Sequence, residues 1–173
     1  MKKLLAIVIL FSLTACNGQE KKKKDRAKEK NETSAEFKIT KTDAEWRESL
    51  SADEYEILRN KGTERPYTGK YDKFFEDGVY VCAACGNPLF ESDTKFDSHC
   101  GWPSFDQAIK GSVIYNEDRS HGMVRTEVMC ANCGGHLGHV FDDGPKETTG
   151  ERFCTNSISI KFIPAEELKK TKK

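Results

Sequence analysis

The sequence predicts a mainly β domain of antiparallel strands with short helices on its N-terminal side, carried behind a targeting segment and a polar tether. Three observations predict it. Runs rich in β-branched and aromatic residues, at 79–81, 113–115, 123–129 and 157–162, are separated by clusters of glycine, asparagine and aspartate, which is the punctuation of strands and turns. Two polar-capped stretches, 43–50 and 51–61, space their apolar residues as helices do. The first 35 residues differ in composition from everything after them.

The chain opens with Lys2 and Lys3, followed by an almost wholly apolar run over 4–13. Spanning a bilayer as a helix takes about twenty apolar residues, so this run is too short. A positive start, a short apolar core and small residues before a break read as a secretory signal over 1–15. Leu13-Thr14-Ala15-Cys16 resembles the lipobox of bacterial lipoproteins, which implies cleavage before Cys16 and a lipid on that cysteine. The alternative is an ordinary signal peptide with Cys16 as a stray thiol. Acyl chains would tether the protein to a membrane surface in the bacterial cell envelope, outside the cytoplasm, rather than embed it. Residues 16–35 carry Lys21, Lys22, Lys23, Lys24, Arg26, Lys28 and Lys30 and almost nothing apolar, so they cannot offset their ordering entropy. They read as a disordered, solvated spacer, with lysines resting on anionic lipid as the second reading.

Residues 36–173 have the length of one domain and can bury a modest core. A formal net charge of zero gives no reason to expect nucleic acid as a partner. Thr42 with Glu45, and Ser51 with Glu54, have the spacing of capping boxes. Trp46, Leu50, Tyr55 and Leu58 supply apolar contacts, and Gly62 is a C-terminal stop. This helical stretch is expected to cover one side of the domain and do no chemistry. The run 157–162 alternates strictly, so one face should be buried and the other wet.

Seven cysteines are many for this length and have to be accounted for one by one. Cys82-Ala83-Ala84-Cys85 and Cys130-Ala131-Asn132-Cys133 are two CxxC knuckles, followed by Gly86 and by Gly134-Gly135. Two intervening residues let one tight turn aim both sulfurs at one ion, and two such pairs make a closed tetrahedral sulfur site, the chemistry of structural Zn²⁺. Four thiolates leave no open position, so one structural zinc per chain is expected, without a catalytic part. Redox-active CxxC pairs and two local disulfides are the alternatives.

Cys100 and Cys154 remain. Cys100 lies in Ser98-His99-Cys100-Gly101-Trp102-Pro103-Ser104-Phe105, a loop that presents a tryptophan. Cys154 lies in Arg152-Phe153-Cys154-Thr155-Asn156, at the entrance to the alternating run. In an extended chain Arg152 falls on the side of Cys154, where its charge favours the reactive thiolate. Between them His136 and His139 stand three apart in Gly134-Gly135-His136-Leu137-Gly138-His139-Val140-Phe141, and both can approach one substrate. A permanent Cys100–Cys154 disulfide and extra metal ligation by the histidines are the alternatives. His121 reads as a surface turn residue.

The double CxxC, HCGWPSF, GGHLGHVF and RFCTNSISIKF resemble, in this order, the signature segments of B-type methionine sulfoxide reductases, over about 46–162. The resemblance implies a fold of two antiparallel sheets with a few helices, and zinc on Cys82, Cys85, Cys130 and Cys133. It also implies a nucleophile at Cys154, a resolving cysteine at Cys100, and a substrate site of Trp102, His136, His139 and Asn156. His99 departs from the glycine of many members. The implied reaction is reduction of methionine-R-sulfoxide in peptides and proteins, the R preference coming from the family alone. The chemistry is coherent: a Cys154 thiolate attacks the sulfoxide sulfur, a histidine delivers a proton to the oxygen, and Trp102 walls the S-methyl group. Arg152 joins the substrate-side residues. The resulting sulfenic acid is captured by Cys100, and a thioredoxin-like dithiol reduces the disulfide. The protein is expected to act as a monomer, repairing oxidised proteins. A zinc-ribbon-like binding module and a general thiol–disulfide oxidoreductase are the rival classes. The first gives no use to two further cysteines, and the second usually keeps its reactive pair in one CxxC rather than 54 residues apart.

Overall fold

The computed structural model describes residues 37–170. The expected signal over 1–15, the tether over 16–35 with its lipid-bearing Cys16, and residues 171–173 lie outside the described residues. Helices α1 (Asp43–Ser49) and α2 (Ala52–Leu58) begin at the two expected caps: Thr42 and Glu45, then Ser51 and Glu54, exchange reciprocal side-chain and amide hydrogen bonds. Both helices are shorter than the pattern suggested. Leu50 is extended, as the chain must be to make Ser51 the next cap. After α2 it is Lys61, with φ of 60°, and not Gly62, that takes the left-handed backbone position. Trp46, Leu50, Tyr55 and Leu58 are all buried. Among the described residues no helix is long and apolar enough to cross a membrane.

Nine strands follow among the described residues: β1 (Gly78–Cys82), β2 (Pro88–Glu91), β3 (Lys95–Phe96), β4 (Ser104–Phe105), β5 (Val113–Asp118), β6 (Arg125–Cys130), β7 (His136–Phe141), β8 (Arg152–Thr155) and β9 (Ile160–Pro164). They form two antiparallel sheets, a three-stranded one in the order β2-β1-β9 and a six-stranded one in the order β3-β4-β8-β7-β6-β5. A last helix, α3 (Ala165–Lys170), ends the described chain. Two expected strands are corrected. The run at 123–129 begins pairing only at Arg125, because Met123 and Val124 are exposed in the loop after a 3-10 turn at Ser120–Gly122. At 157–162 the first half is a 3-10 turn (Ser157–Ser159), where the chain leaves the large sheet for the small one. Ser157 and Ser159 are the buried residues there, with hydroxyls bonded to the Tyr71 amide and the Leu137 carbonyl.

The core lies against aromatic side chains of both sheets. Phe90 stacks on Phe105 with centroids 4.3 Å apart, and Tyr80 meets Phe105 edge-on at 4.9 Å. Phe105 and Phe153 are register partners in β4 and β8, and both are buried. Their neighbours Ser104 and Cys154, also register partners, therefore face the other side of the sheet. Core packing on one face thus fixes Cys154 on the other.

Candidate active site

The first cluster is the set of four cysteines. Cys82 ends β1 and Cys130 ends β6, so the two knuckles bring the small sheet and the large sheet to one point. In each knuckle the glycine amide returns to the first cysteine's carbonyl: Gly86 to Cys82 at 2.8 Å and Gly134 to Cys130 at 2.9 Å. Both glycines have positive φ, near 70°. All four sulfurs lie within 4.8 Å of one another, with contacts across the knuckles at 3.8 Å for Cys82–Cys133 and 3.6 Å for Cys85–Cys130. Thiolates about 2.3 Å from a tetrahedral Zn²⁺ stand about 3.8 Å apart. Contacts across the knuckles suit one shared ion better than two local disulfides. The donors fit a structural metal, with no open position for chemistry.

The second cluster is the remaining pair. Cys100, in the loop before β4, brings its sulfur to 3.8 Å from that of Cys154 on β8. Ser98 and Ser104 hydroxyls lie 3.0 and 3.5 Å from the Cys100 sulfur. The thiols share protons. Their mutual hydrogen bond holds Cys100 down, to about 4, and pushes Cys154 up above the usual thiol range. The two sulfurs therefore titrate as a coupled pair, a proton on one favouring the thiolate on the other. Arg152 pulls Cys154 back towards ionisation. It is held for this by a two-pronged bond to Asp143, both contacts at 2.9 Å, and it lies over the Phe141 ring. Asp143 carried no signal in the sequence.

Both histidines lie on strand β7. On a regular strand two residues three apart face opposite sides. Here β7 holds one extra residue: Val128 pairs with Gly138 and Met129 with His136, leaving Leu137 as a bulge. Both rings thereby reach one face, with centroids 5.5 Å apart. The register runs Cys154, His139, Glu127, Asn116 across β8, β7, β6 and β5, a polar row leading from the sulfur. A Cβ on Gly138 would fall 2.0 Å from the Cys154 carbonyl oxygen, so only glycine allows β7 and β8 to pair this closely. His136 Nδ1 lies 2.8 Å from Glu127, and His139 Nε2 lies 2.7 Å from Asp118. Burial lowers the His139 pKa, and the Asp118 bond raises it part of the way back.

Trp102 donates its indole N–H to the Glu64 carbonyl at 3.1 Å. Asn156 is buried, and both ends of its amide hold backbone: the oxygen accepts from the Glu64 amide and the nitrogen donates to Leu137. Asn156 therefore ties the walls of the site together. The Glu64 carboxylate in turn accepts from the Ser157 and Ile158 amides. Lys61, the last residue of the stretch expected to do no chemistry, reaches Glu127, and Glu64 beyond it holds the chain after Asn156. Over Cys154 lies a cavity of about 120 Å³, bounded among others by Trp102, His139, Phe141, Arg125 and Asn156. A larger depression of about 410 Å³ contains neither cysteine and no nucleophilic pair.

The carboxylates here tie the site to pH. Burial raises the Glu127 pKa from 4.5, but bonds from His136 and Lys61 outweigh it and hold the group down, to about 2. A folded-state pKa below the unfolded one means that ionised Glu127 stabilises the fold fully above about pH 4.5. That contribution, roughly 3 kcal/mol, is lost as the pH falls towards 2. Glu127→Gln should flatten the fall in stability between these pH values, followed by denaturant melts at each pH. An unchanged acid slope would remove Glu127 from this account.

Comparison with known proteins matches residues 50–164 to the SelR domain. The peptide methionine sulfoxide reductase MsrB of Agrobacterium fabrum (strain C58 / ATCC 33970) is 59% identical over 128 residues, covering 73% of this chain and 94% of that protein. MsrB of Leifsonia xyli subsp. xyli (strain CTCB07) is 53% identical over 133 residues, covering 76% and 96%. Of solved structures, the Mis18 'Yippee-like' domain aligns over 51% of this chain and 96% of its own at 19% identity. Its TM-score is 0.41, too loose to bear on the argument. Identity at this level over nearly the whole of its relatives, with the two cysteine clusters in place, assigns the chain to the SelR-domain family of B-type peptide methionine sulfoxide reductases.

Proposed function

We propose that this chain reduces methionine-R-sulfoxide in peptides and proteins, with Cys154 as nucleophile and Cys100 as resolving cysteine. The observation that carries the reading is the 3.8 Å approach of these two sulfurs beside a small cavity walled by Trp102 and His139. Moving the shared proton from Cys154 to Cys100 arms the nucleophile, and Arg152 favours that move. The Cys154 thiolate attacks the sulfoxide sulfur while a histidine protonates the oxygen. The attack joins the two sulfurs; as that S–S bond breaks, the hydroxyl passes from the methionine sulfur to the Cys154 sulfur, so that methionine leaves and Cys154 becomes a sulfenic acid. Cys100 attacks that sulfur, water leaves, and a disulfide forms after about 1.8 Å of further approach. A thioredoxin-like dithiol returns two electrons and two protons. The four-cysteine site would hold Zn²⁺ as a structural clip. We further propose that lipid on Cys16 places the domain on a membrane surface outside the cytoplasm, a reading supported by the Leu13-Thr14-Ala15-Cys16 segment.

The test is consumption of a peptide containing methionine-R-sulfoxide and of its S-epimer by the zinc-loaded protein, with dithiothreitol as reductant. Turnover of the R-epimer alone is expected. A folded, zinc-loaded protein that turns over neither would leave a binding module as the better account.

A further inference from the structure

We propose that Glu127 is a positioning residue for the sulfoxide chemistry, fixing His136 with Nδ1 bound so that Nε2 is left to the substrate oxygen, and that Lys61 tunes this pair. The proposal rests on the reductase reading and goes beyond it.

Glu127 is an internal carboxylate, 1% exposed, on the polar row that leads from Cys154. Its oxygens are held by His136 Nδ1 and Lys61 Nζ, both at 2.8 Å, and by Asn116 Nδ2 at 3.4 Å. An ionised carboxylate only accepts hydrogen bonds, so the His136 proton must sit on Nδ1. In the neutral ring Nε2 is then bare, and a second proton can go only there. Nε2 is buried and has no hydrogen-bond partner among the described residues. Leaving such an atom unmet is costly, so it marks a place that a ligand oxygen or a water completes.

The surroundings agree. His136 lines a polar cavity of about 360 Å³ that shares Thr63, Arg125 and His139 with the cavity over Cys154. The other histidine is engaged differently: His139 Nε2 is bound to Asp118, which also binds Arg125 at 2.6 Å. The charged and titratable groups around His136 are thus Lys61 after α2, Asp118 on β5, His121 in the following turn, Arg125 and Glu127 on β6, and His139 on β7. Asp118 is matched by Arg125, and Glu127 by Lys61 and His136. Lys61 reaches Glu127 from the left-handed turn after α2, a conformation that a non-glycine residue keeps only when contacts hold it.

Two measurements test this. The first is the ¹⁵N signature of the His136 ring in the reduced, zinc-loaded protein near neutral pH. A proton on Nδ1 is expected, and a proton on Nε2 overturns the proposal whatever the activity. The second is the pH profile of kcat/KM for the R-sulfoxide. Glu127→Gln should lower kcat/KM about ten- to a hundred-fold, chiefly through kcat, and move the alkaline limb to lower pH, because the imidazolium loses its counter-charge. Lys61→Met should move the same limb to higher pH, because Glu127 loses its other cation. Opposite shifts support the proposal. Lowered activity with unmoved limbs makes Glu127 merely structural and overturns it. Wild type inactive on both epimers counts against the reductase reading alone, and the ring tautomer then decides the part played by Glu127.

Discussion

Cys154→Ser should abolish sulfoxide turnover, by at least about a thousand-fold in kcat/KM, while leaving zinc content and melting temperature unchanged. Serine is nearly the size of cysteine but is not ionised at neutral pH, so the attacking sulfur is lost without a packing defect. The zinc cysteines sit on other elements, β1, β6 and the turns after them, so their metal should not respond. Cys100→Ser should separate attack from resolution. It should release one equivalent of methionine per enzyme and then stop with a thioredoxin-like reductant, since no intramolecular disulfide can form. A small dithiol, which reaches the sulfenic acid directly, should keep it turning over. The checks are a quenched-flow count of methionine per enzyme and mass detection of the oxidised Cys154. Steady turnover by Cys100→Ser with the protein reductant would remove Cys100 from the cycle, and turnover by Cys154→Ser would remove the mechanism itself.

The chemistry was legible in the sequence because cysteine, histidine and tryptophan signal it through residue type. The CxxC knuckles and the two histidines are brought together as their spacing suggested, and the Cys100–Cys154 pair as the resemblance implied. What the sequence hid is the support beneath them. Glu127, Asp118 and Arg125 are charged residues in a β hairpin, and nothing local separates them from a solvated surface. Only the six-stranded register turns them inward. Asp143 becomes visible only through its bond to Arg152. The strand on which the histidines stand was hidden by its own glycine. Gly138 reads as flexible, yet it is demanded by the close approach of Cys154 backbone. Strand pattern failed at 157–159 for a related reason: the serines there are buried and bonded to backbone, while alternation assigns polar residues to water. The two capping boxes were legible because their chemistry is local.

The largest effect on folding should come from the metal site. Cys82 and Cys130 are each at most 1% exposed and stand at the ends of strands from different sheets. An ion on all four sulfurs closes the 45 residues between Cys85 and Cys130 and clamps the sheets together. Structural zinc in small peptides supplies roughly 10–16 kcal/mol of apparent free energy, and a domain has about 5–15 kcal/mol of stability in all. Even a fraction of the first is comparable with the second. Cys130→Ser, or exhaustive chelation of the wild type, should therefore lower the melting temperature by roughly 20 °C or more, or abolish cooperative unfolding. Cys100→Ser, which touches no zinc ligand, serves as the control and should melt within a few degrees of wild type. Metal analysis should find one zinc in the wild type and none in Cys130→Ser. If the four cysteines formed two disulfides instead, the intact mass would be short by four hydrogens, reductant rather than chelator would lower the melting temperature, and no zinc would be bound. Should the metal-free protein melt where the loaded one does, the site is no clip, and the union of the two sheets must rest on the aromatic layer of Tyr80, Phe90, Phe105 and Phe153 alone.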